Sequence, residues 1–226
     1  MLQCFHVWRH VCRIAEGKRC WFPNLGVYYK DMAQLLGDLR FFTSASDVGQ
    51  LGFCHAEVAF VGRSNVGKSS MLNAIAQQKQ LARVSKTPGR TRLINIFVTG
   101  IDRWVVDLPG YGFASGPVAE RLSWRTMIDG YLTGRKSLRL IFILVDAEVG
   151  PTKLDIQMID WLRDMDLPYR VVATKTDRVK PSKQASQRKA VAAKLGLQSG
   201  GIAWVSAVKG AGIAEFRREV TGILEL

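Results

Sequence analysis

The chain has 226 residues, of which 47% are hydrophobic and 23% are charged, proportions typical of a globular protein with a sizeable core. These values exclude a fibre or a wholly disordered chain, and the length suits one domain with a short appendage or two small domains. The formal charge of +13 favours encounter with a phosphate-rich polymer or an anionic membrane, although a merely soluble basic surface would have the same composition.

No apolar run is long enough to cross a bilayer, because the longest one, Leu140 to Val145, ends at Asp146. We therefore expect no membrane span. None of the cysteines has the short C-x-x-C spacing of a zinc or redox site, and no secreted disulfide framework is indicated. These features predict a reducing intracellular compartment, which we expect to be the cytoplasm.

Residues 1–40 differ from the rest of the chain, since they are rich in arginine and poor in acids and show no helical or strand period. We expect these residues to be a peripheral extension that is disordered, or else an overextended start placed too far upstream, because Met32 opens a plausible shorter chain. The arginines are typical of an organelle transit peptide, but no serine precedes Ser44, so organelle targeting stays open. Residues 41–226 are expected to form the functional domain.

Strands and helices alternate from Glu57 onward. Apolar or alternating runs predict six strands, at residues 58–61, 93–99, 103–107, 139–146, 169–174 and 202–205. Patterns of helical period predict five helices, at residues 67–80, 119–133, 155–164, 182–195 and 212–226. The second and third strands are so close in sequence that they should form a hairpin. The order predicts a three-layer α/β fold with a mostly parallel six-stranded sheet and one antiparallel edge strand.

The first motif follows the first predicted strand and matches G-x-x-x-x-G-K-[ST]. This phosphate loop, residues 62–69, consists of Gly62, Arg63, Ser64, Asn65, Val66, Gly67, Lys68 and Ser69. Its glycines let backbone N–H groups converge on phosphates, and the following helix adds its positive end. Lys68 is expected to bridge the β- and γ-phosphates, and the Ser69 hydroxyl to bind Mg²⁺. The loop alone does not distinguish GTP from ATP.

A second motif, which we call the guanine reader, ends the fifth predicted strand and consists of Thr174, Lys175, Thr176 and Asp177. It matches the N/T-K-x-D pattern, in which a carboxylate accepts hydrogen bonds from N1–H and the 2-amino group of guanine. Adenine offers neither donor there, so beside adenine Asp177 would be a buried group without a partner. A further guanine loop is expected after the last strand, at Val205, Ser206 and Ala207. GTP and GDP are therefore the expected ligands.

Two segments between the phosphate loop and the guanine reader have the composition of nucleotide-sensing switches. The D-x-x-G segment consists of Asp107, Leu108, Pro109 and Gly110, in which Asp107 would hold Mg²⁺ through water and the Gly110 N–H would sense the γ-phosphate. The other segment, the switch loop, is expected to contact nucleotide through Gly89, Arg90, Thr91, Arg92 and Leu93. Thr91 is the candidate for the second protein ligand of Mg²⁺, with Thr87 as the alternative.

Residues 62–70, 86–91 and 107–113 together resemble the EngB (YihA/YsxC) family of the TrmE-Era-EngA-EngB-like P-loop GTPases. The family shares Thr174 in place of the commoner Asn. The resemblance spans residues 41–226 and implies a Ras-like domain that hydrolyses GTP to GDP and phosphate. It also implies a role in assembly of the large ribosomal subunit, through which cell division and septation would depend on the protein. The implied partner is a large-subunit precursor or rRNA, and the chain is expected to be monomeric.

Hydrolysis is expected to be slow, because Tyr111 stands where Ras-like enzymes place a water-orienting Gln. Related GTPases bind potassium through an Asn at the position of Asn65, so K⁺ is a candidate activator. Arg90 and Arg92 could supply charge instead, or could be solvated. The residues expected to act in catalysis are Lys68, Asn65, Thr91 and Gly110.

A basic run follows the guanine reader, formed by Arg178, Lys180, Lys183, Arg188, Lys189 and Lys194. It indicates either a solvated helix face or a surface that contacts rRNA. Two alternatives to a GTPase switch remain open from the sequence. One is a nucleotide-dependent RNA-binding module with little turnover, and the other is a different P-loop NTPase, which Asp177 disfavours.

Overall fold

The structure is a computed structural model that describes residues 35–82, 93–100, 102–111 and 118–225. The predicted α/β architecture is confirmed, with one sheet packed between two layers of helices. Its strands are β1 (Arg40–Ala45), β2 (Ala56–Gly62), β3 (Ile94–Thr99), β4 (Arg103–Asp107), β5 (Leu138–Asp146), β6 (Tyr169–Thr174) and β7 (Ile202–Trp204). The strand order across the sheet is β1-β3-β4-β2-β5-β6-β7.

The helices agree with the predicted ones to within a few residues. They are α1 (Lys68–Ala76), α2 (Val118–Gly134), α3 (Lys153–Asp164), α4 (Gln184–Lys194) and α5 (Ile213–Glu225). Helix α1 ends earlier than predicted, because Gln77 adopts a left-handed conformation with φ of 57° and its N–H bonds back into the last turn. Within the described residues, no helix is long and apolar enough to span a bilayer.

The sheet contains a seventh strand, β1, that the sequence pattern did not indicate. β3 runs antiparallel to both of its neighbours, β1 and β4, and the predicted β3–β4 hairpin is confirmed. The antiparallel strand is therefore internal, and β1 forms the edge. Five of the six residues of β1 are not buried, so the strand lacks the apolar alternation that would identify it.

The alternation of side chains along β5 divides the core between the two faces of the sheet. Ile141, Ile143 and Val145 point to the layer formed with α2, α3 and α4. Phe142 and Leu144 point to the other layer, with α1 and α5. All five are fully buried, and each such side chain contributes about 1.5–3 kcal/mol of burial free energy. Both faces are covered, which leaves the carboxyl ends of the strands as the natural place for a site.

A short 3₁₀ helix, Leu35–Asp38, precedes β1 and packs with the core. Leu36 and Leu39 are buried, and the Gln78 amide donates to the Gly37 and Leu39 carbonyl oxygens at 3.1 and 2.8 Å. Residues 1–34 lie outside the described part of the chain. The division of the chain at residue 40 therefore stays a prediction.

Candidate nucleotide-binding site

The phosphate loop turns sharply between β2 and α1. Asn65 and Gly67 have positive φ values of 64° and 107°, which glycine adopts freely and asparagine tolerates. Gly62 has no room for a side chain, because a Cβ there would lie 2.9 Å from Val66 Cγ1 and 3.0 Å from the Leu144 carbonyl oxygen. Helix α1 begins at Lys68, so the first-turn N–H groups of Lys68 and Ser69 have no partner within the helix. This arrangement suits an anion.

Asp107, at the end of β4, lies across from the phosphate loop. The Lys68 ammonium is 3.9 Å from Asp107 Oδ1, which is too long for a hydrogen bond. The oxygen is buried and accepts no hydrogen bond from the described residues. Burial raises the pKa of the Asp107 carboxyl, although the Lys68 charge opposes the rise. A buried carboxylate oxygen without a donor fits a water-mediated or direct cation ligand, so Asp107 and the Ser69 hydroxyl fit Mg²⁺.

The first two residues of the guanine reader are tied to the phosphate loop. The Thr174 hydroxyl lies 2.7 Å from the Val66 carbonyl oxygen. Lys175 has a φ of 55°, and its ammonium donates to the Asn65 carbonyl oxygen and to Asp146 Oδ2, both at 2.7 Å. Burial raises the pKa of Asp146, but the hydrogen bond and charge of Lys175 and the N–H groups of Glu148 and Val149 together outweigh burial, so the net pKa is lowered. Sequence reasoning missed Asp146, whose contact with Lys175 depends on the neighbouring position of β5 and β6.

Asp177 is held by the loop that follows β7. The Ser206 hydroxyl donates to Asp177 Oδ1 at 2.5 Å and accepts from the Lys209 N–H at 3.0 Å. The Ser206 N–H donates to the Ala211 carbonyl oxygen at 2.8 Å, which leaves the Ala207 N–H as the candidate donor to guanine O6. The Thr176 N–H donates to the Val205 carbonyl oxygen at 3.3 Å, so the two predicted guanine loops are joined directly.

The D-x-x-G segment runs alongside the phosphate loop. The Leu108 N–H donates to the Phe60 carbonyl oxygen at 3.1 Å, which extends the pairing of β2 and β4. After Pro109, Gly110 lies so close to Ser64 that a Cβ would be 2.9 Å from its backbone nitrogen. Glycine is therefore required at this position by the approach of the two backbones.

Five predicted switch residues lie outside the part of the chain that the structure describes, namely Thr87, Gly89, Arg90, Thr91 and Arg92. Leu93 is described, immediately before β3, and its side chain is 41% exposed. The second protein ligand of Mg²⁺ and the arginine contribution therefore stay predictions.

Comparisons with known proteins decide the family. Residues 57–175 match the family described as 50S ribosome-binding GTPase. The probable GTP-binding protein EngB of Pelotomaculum thermopropionicum is 51% identical over 142 residues, which cover 62% of this chain and 71% of that protein. The EngB of Thermotoga maritima is 42% identical over 172 residues, covering 75% and 87%. The chain belongs to the EngB family of GTP-binding proteins. The predicted family is thereby confirmed, and GTP or GDP is the family's ligand.

Solved structures share the fold of this EngB-family chain. A crystal structure of a probable GTP-binding protein EngB has a TM-score of 0.61 at 24% identity, covering 75% of this chain and 99% of that one. Era in complex with MgGDPNP and a segment of 16S ribosomal RNA has a TM-score of 0.60 at 24% identity, covering 76% and 58%. The Ras-like fold predicted from the sequence is confirmed.

Proposed function

We propose that this EngB-family protein is a GTP-hydrolysing switch with slow intrinsic turnover that acts in assembly of the large ribosomal subunit. The observation that carries the nucleotide part is the position of Asp177. Its carboxylate is held by the Ser206 hydroxyl, while Lys175 of the same motif is bonded to the phosphate loop. A base reader and a phosphate binder are thus parts of one hydrogen-bonded unit.

Each end of the nucleotide has its own donors or acceptors in this proposal. The loop N–H groups and Lys68 bind the phosphates, and Asp177 accepts from guanine, whose N1–H and 2-amino group adenine lacks. Ser69, Asp107 and Thr91 would hold Mg²⁺, which when bound neutralises phosphate charge. Gly110 would meet the γ-phosphate through its N–H.

Slow turnover follows from the position of Tyr111. Its hydroxyl donates to the buried carboxylate of Asp155 at 2.8 Å, and its side chain is packed in the core, so it does not take the place of a water-orienting Gln. Charge stabilisation of the transition state must come from another source. Asn65, whose side chain is exposed in the phosphate loop, is the residue that would contact K⁺.

The ribosomal part of the proposal is supported by charge and by the family's description. The chain has a formal charge of +13, and Lys180, Lys183, Arg188, Lys189 and Lys194 lie in or near α4, a helix without an acidic residue. Such a surface binds phosphate backbones without reading sequence. Action on a large-subunit precursor would place the protein in the cytoplasm as a monomer, and septation would depend on it indirectly.

Competition binding tests the nucleotide part. Fluorescent GDP is bound to the wild type and to Asp177→Asn, and GDP, GTP, ATP and XDP compete for it. We expect only guanine nucleotides to compete for the wild type. We expect the affinity for XDP to increase in the variant, because the Asn amide can donate a hydrogen bond where xanthine accepts one. Asp164→Asn, at an exposed position at the end of α3, is the matched control. Equal competition by ATP would contradict the proposed GTPase function. Nucleotide binding without phosphate release would favour the alternative of an RNA-binding module with little turnover.

A further inference from the structure

Asp155 is a buried carboxylate that belongs to none of the nucleotide-binding motifs. It lies in the first turn of α3 and is completely buried. Its Oδ2 accepts from the N–H and the hydroxyl of Thr152, both at 2.7 Å, and so completes a capping box at the start of the helix. This local role uses only one of the two carboxylate oxygens.

The other oxygen connects the helix to the nucleotide site. The Tyr111 hydroxyl donates to Asp155 Oδ1 at 2.8 Å, and the Tyr111 side chain is only 5% exposed. The Arg63 guanidinium, in the phosphate loop, lies 3.4 Å from Asp155 Oδ2. One carboxylate therefore contacts the phosphate loop, the residue after the D-x-x-G segment and the start of α3.

The backbone of Tyr111 is also paired with the phosphate loop. Its N–H donates to the Gly62 carbonyl oxygen, and its carbonyl oxygen accepts from the Ser64 N–H, both at 3.2 Å. Gly110 precedes this pair and is in close contact with Ser64. Anchoring the Tyr111 side chain therefore holds Gly110 beside the loop that binds phosphate.

We infer that Asp155 is a positioning residue whose hydrogen bond with Tyr111 favours binding of guanosine triphosphate over the diphosphate. This rests on the proposed function, in which the Gly110 N–H contacts the γ-phosphate. A backbone that is already held in place loses less conformational freedom when the triphosphate binds. GDP has no γ-phosphate, so it gains nothing from this restraint. The bond shifts the preference between the two nucleotides without contacting either.

The test is Tyr111→Phe, which removes the hydroxyl and keeps the ring in the core. Dissociation constants are measured for GDP and for a non-hydrolysable GTP analogue. We expect the analogue to bind about 5- to 10-fold more weakly, a coupling of ordinary size, while GDP affinity changes less than about twofold. Tyr169→Phe is the matched control, because that hydroxyl accepts from Arg163 at 2.8 Å near the opposite end of the sheet. Equal changes for both nucleotides, no change, or a gain for the analogue would overturn the inference.

Asp155→Asn distinguishes the hydrogen bond from the charge. An amide oxygen can accept from Thr152 while the amide nitrogen donates to the Tyr111 oxygen, so a bond is retained without the negative charge. We expect the nucleotide preference of this variant to stay within about twofold of the wild type. If the preference for the triphosphate falls as much as in Tyr111→Phe, the effect is due to the negative charge of Asp155, and the inference is overturned.

Hydrogen exchange on the wild type gives an answer even if a variant does not fold. We expect the Tyr111 N–H to be protected in the nucleotide-free protein, because the pairing with Gly62 is present before ligand binds. Protection that arises only with the triphosphate would overturn the inference. If the wild type binds no guanine nucleotide at all, the proposed function fails. If Tyr111→Phe binds guanine nucleotides normally and keeps the wild-type preference between triphosphate and diphosphate, only the inference about Asp155 fails.

Discussion

Two buried carboxylates at opposite ends of the parallel strands have contrasting surroundings. Glu57, at the start of β2, accepts from the Tyr131 hydroxyl at 2.9 Å, the Ser137 hydroxyl at 2.9 Å and the Arg135 guanidinium at 2.7 and 3.2 Å. Asp107, at the end of β4, has the Lys68 ammonium 3.9 Å from its Oδ1, and this oxygen accepts no hydrogen bond from the described residues. Both side chains are almost inaccessible to solvent, at 0% and 4% exposure.

The difference separates a structural carboxylate from one prepared for a ligand. Every oxygen of Glu57 is satisfied within the protein, so the group joins β2 to the end of α2 and needs nothing more. Asp107 has an oxygen without a hydrogen-bond donor among the described residues, and leaving it so is unfavourable until a cation or ordered water arrives. Burial alone therefore does not identify a functional acid, and it is the missing hydrogen-bond donor that distinguishes Asp107 from Glu57.

The largest effect is expected from Glu57→Ala. The substitution leaves the largely buried Arg135 guanidinium without its carboxylate partner, which should lower the free energy of unfolding by about 3–5 kcal/mol in urea denaturation. GDP affinity of the folded protein should not change. Glu215→Ala, which breaks an exposed pair with Arg218, is the control and should have little effect. Weakened GDP binding at normal stability would show that Glu57 is not structural.

Asp107→Asn is expected to have an intermediate effect, which is mainly on ligand binding. Because Asn is a poor ligand for Mg²⁺, the magnesium-dependent affinity for a GTP analogue should fall about 10- to 100-fold, as measured by titration calorimetry. GDP binding without magnesium should be retained. Asp102→Asn, at an exposed position just before the same strand, is the matched control. A loss of stability without a loss of magnesium dependence would contradict the contrast with Glu57.

The smallest expected effect is on the pH dependence of folding stability. Burial raises the pKa of Asp107 in the folded state, against the weaker influence of Lys68, so the folded chain holds this proton more tightly than the unfolded chain does. Stability from this group is present at low pH and is lost as pH rises through the folded pKa. Asp107→Asn should therefore be more stable than the wild type near neutral pH, with a gain that shrinks on acidification. The difference in the free energy of unfolding is measured by urea denaturation of both proteins without nucleotide or magnesium. A stability gain of the variant that grows on acidification would refute the prediction.

The elements closest to the chemistry could be predicted because their signals are local. The phosphate loop needs glycines and a lysine at set spacing within residues 62–69, and the predicted strand and helix on either side are present. The antiparallel pairing of β3 and β4 followed from their closeness in sequence. By contrast, β1 pairs with a strand about fifty residues away and shows no apolar alternation, so its own sequence contains no signal for it.

The sequence alone determined the alternating α/β order, the residue types at the phosphates and the acid that would read guanine, because each depends on residues close together in the chain. The tertiary structure decided which partners those residues have. Thr152 and Asp155 are recognisable as a helix cap from their spacing, but the hydrogen bond that the Tyr111 hydroxyl donates to Asp155 spans 44 positions. That contact exists only because the fold brings the start of α3 beside Tyr111 and Arg63, and long-range packing is set by the whole core rather than by any local pattern.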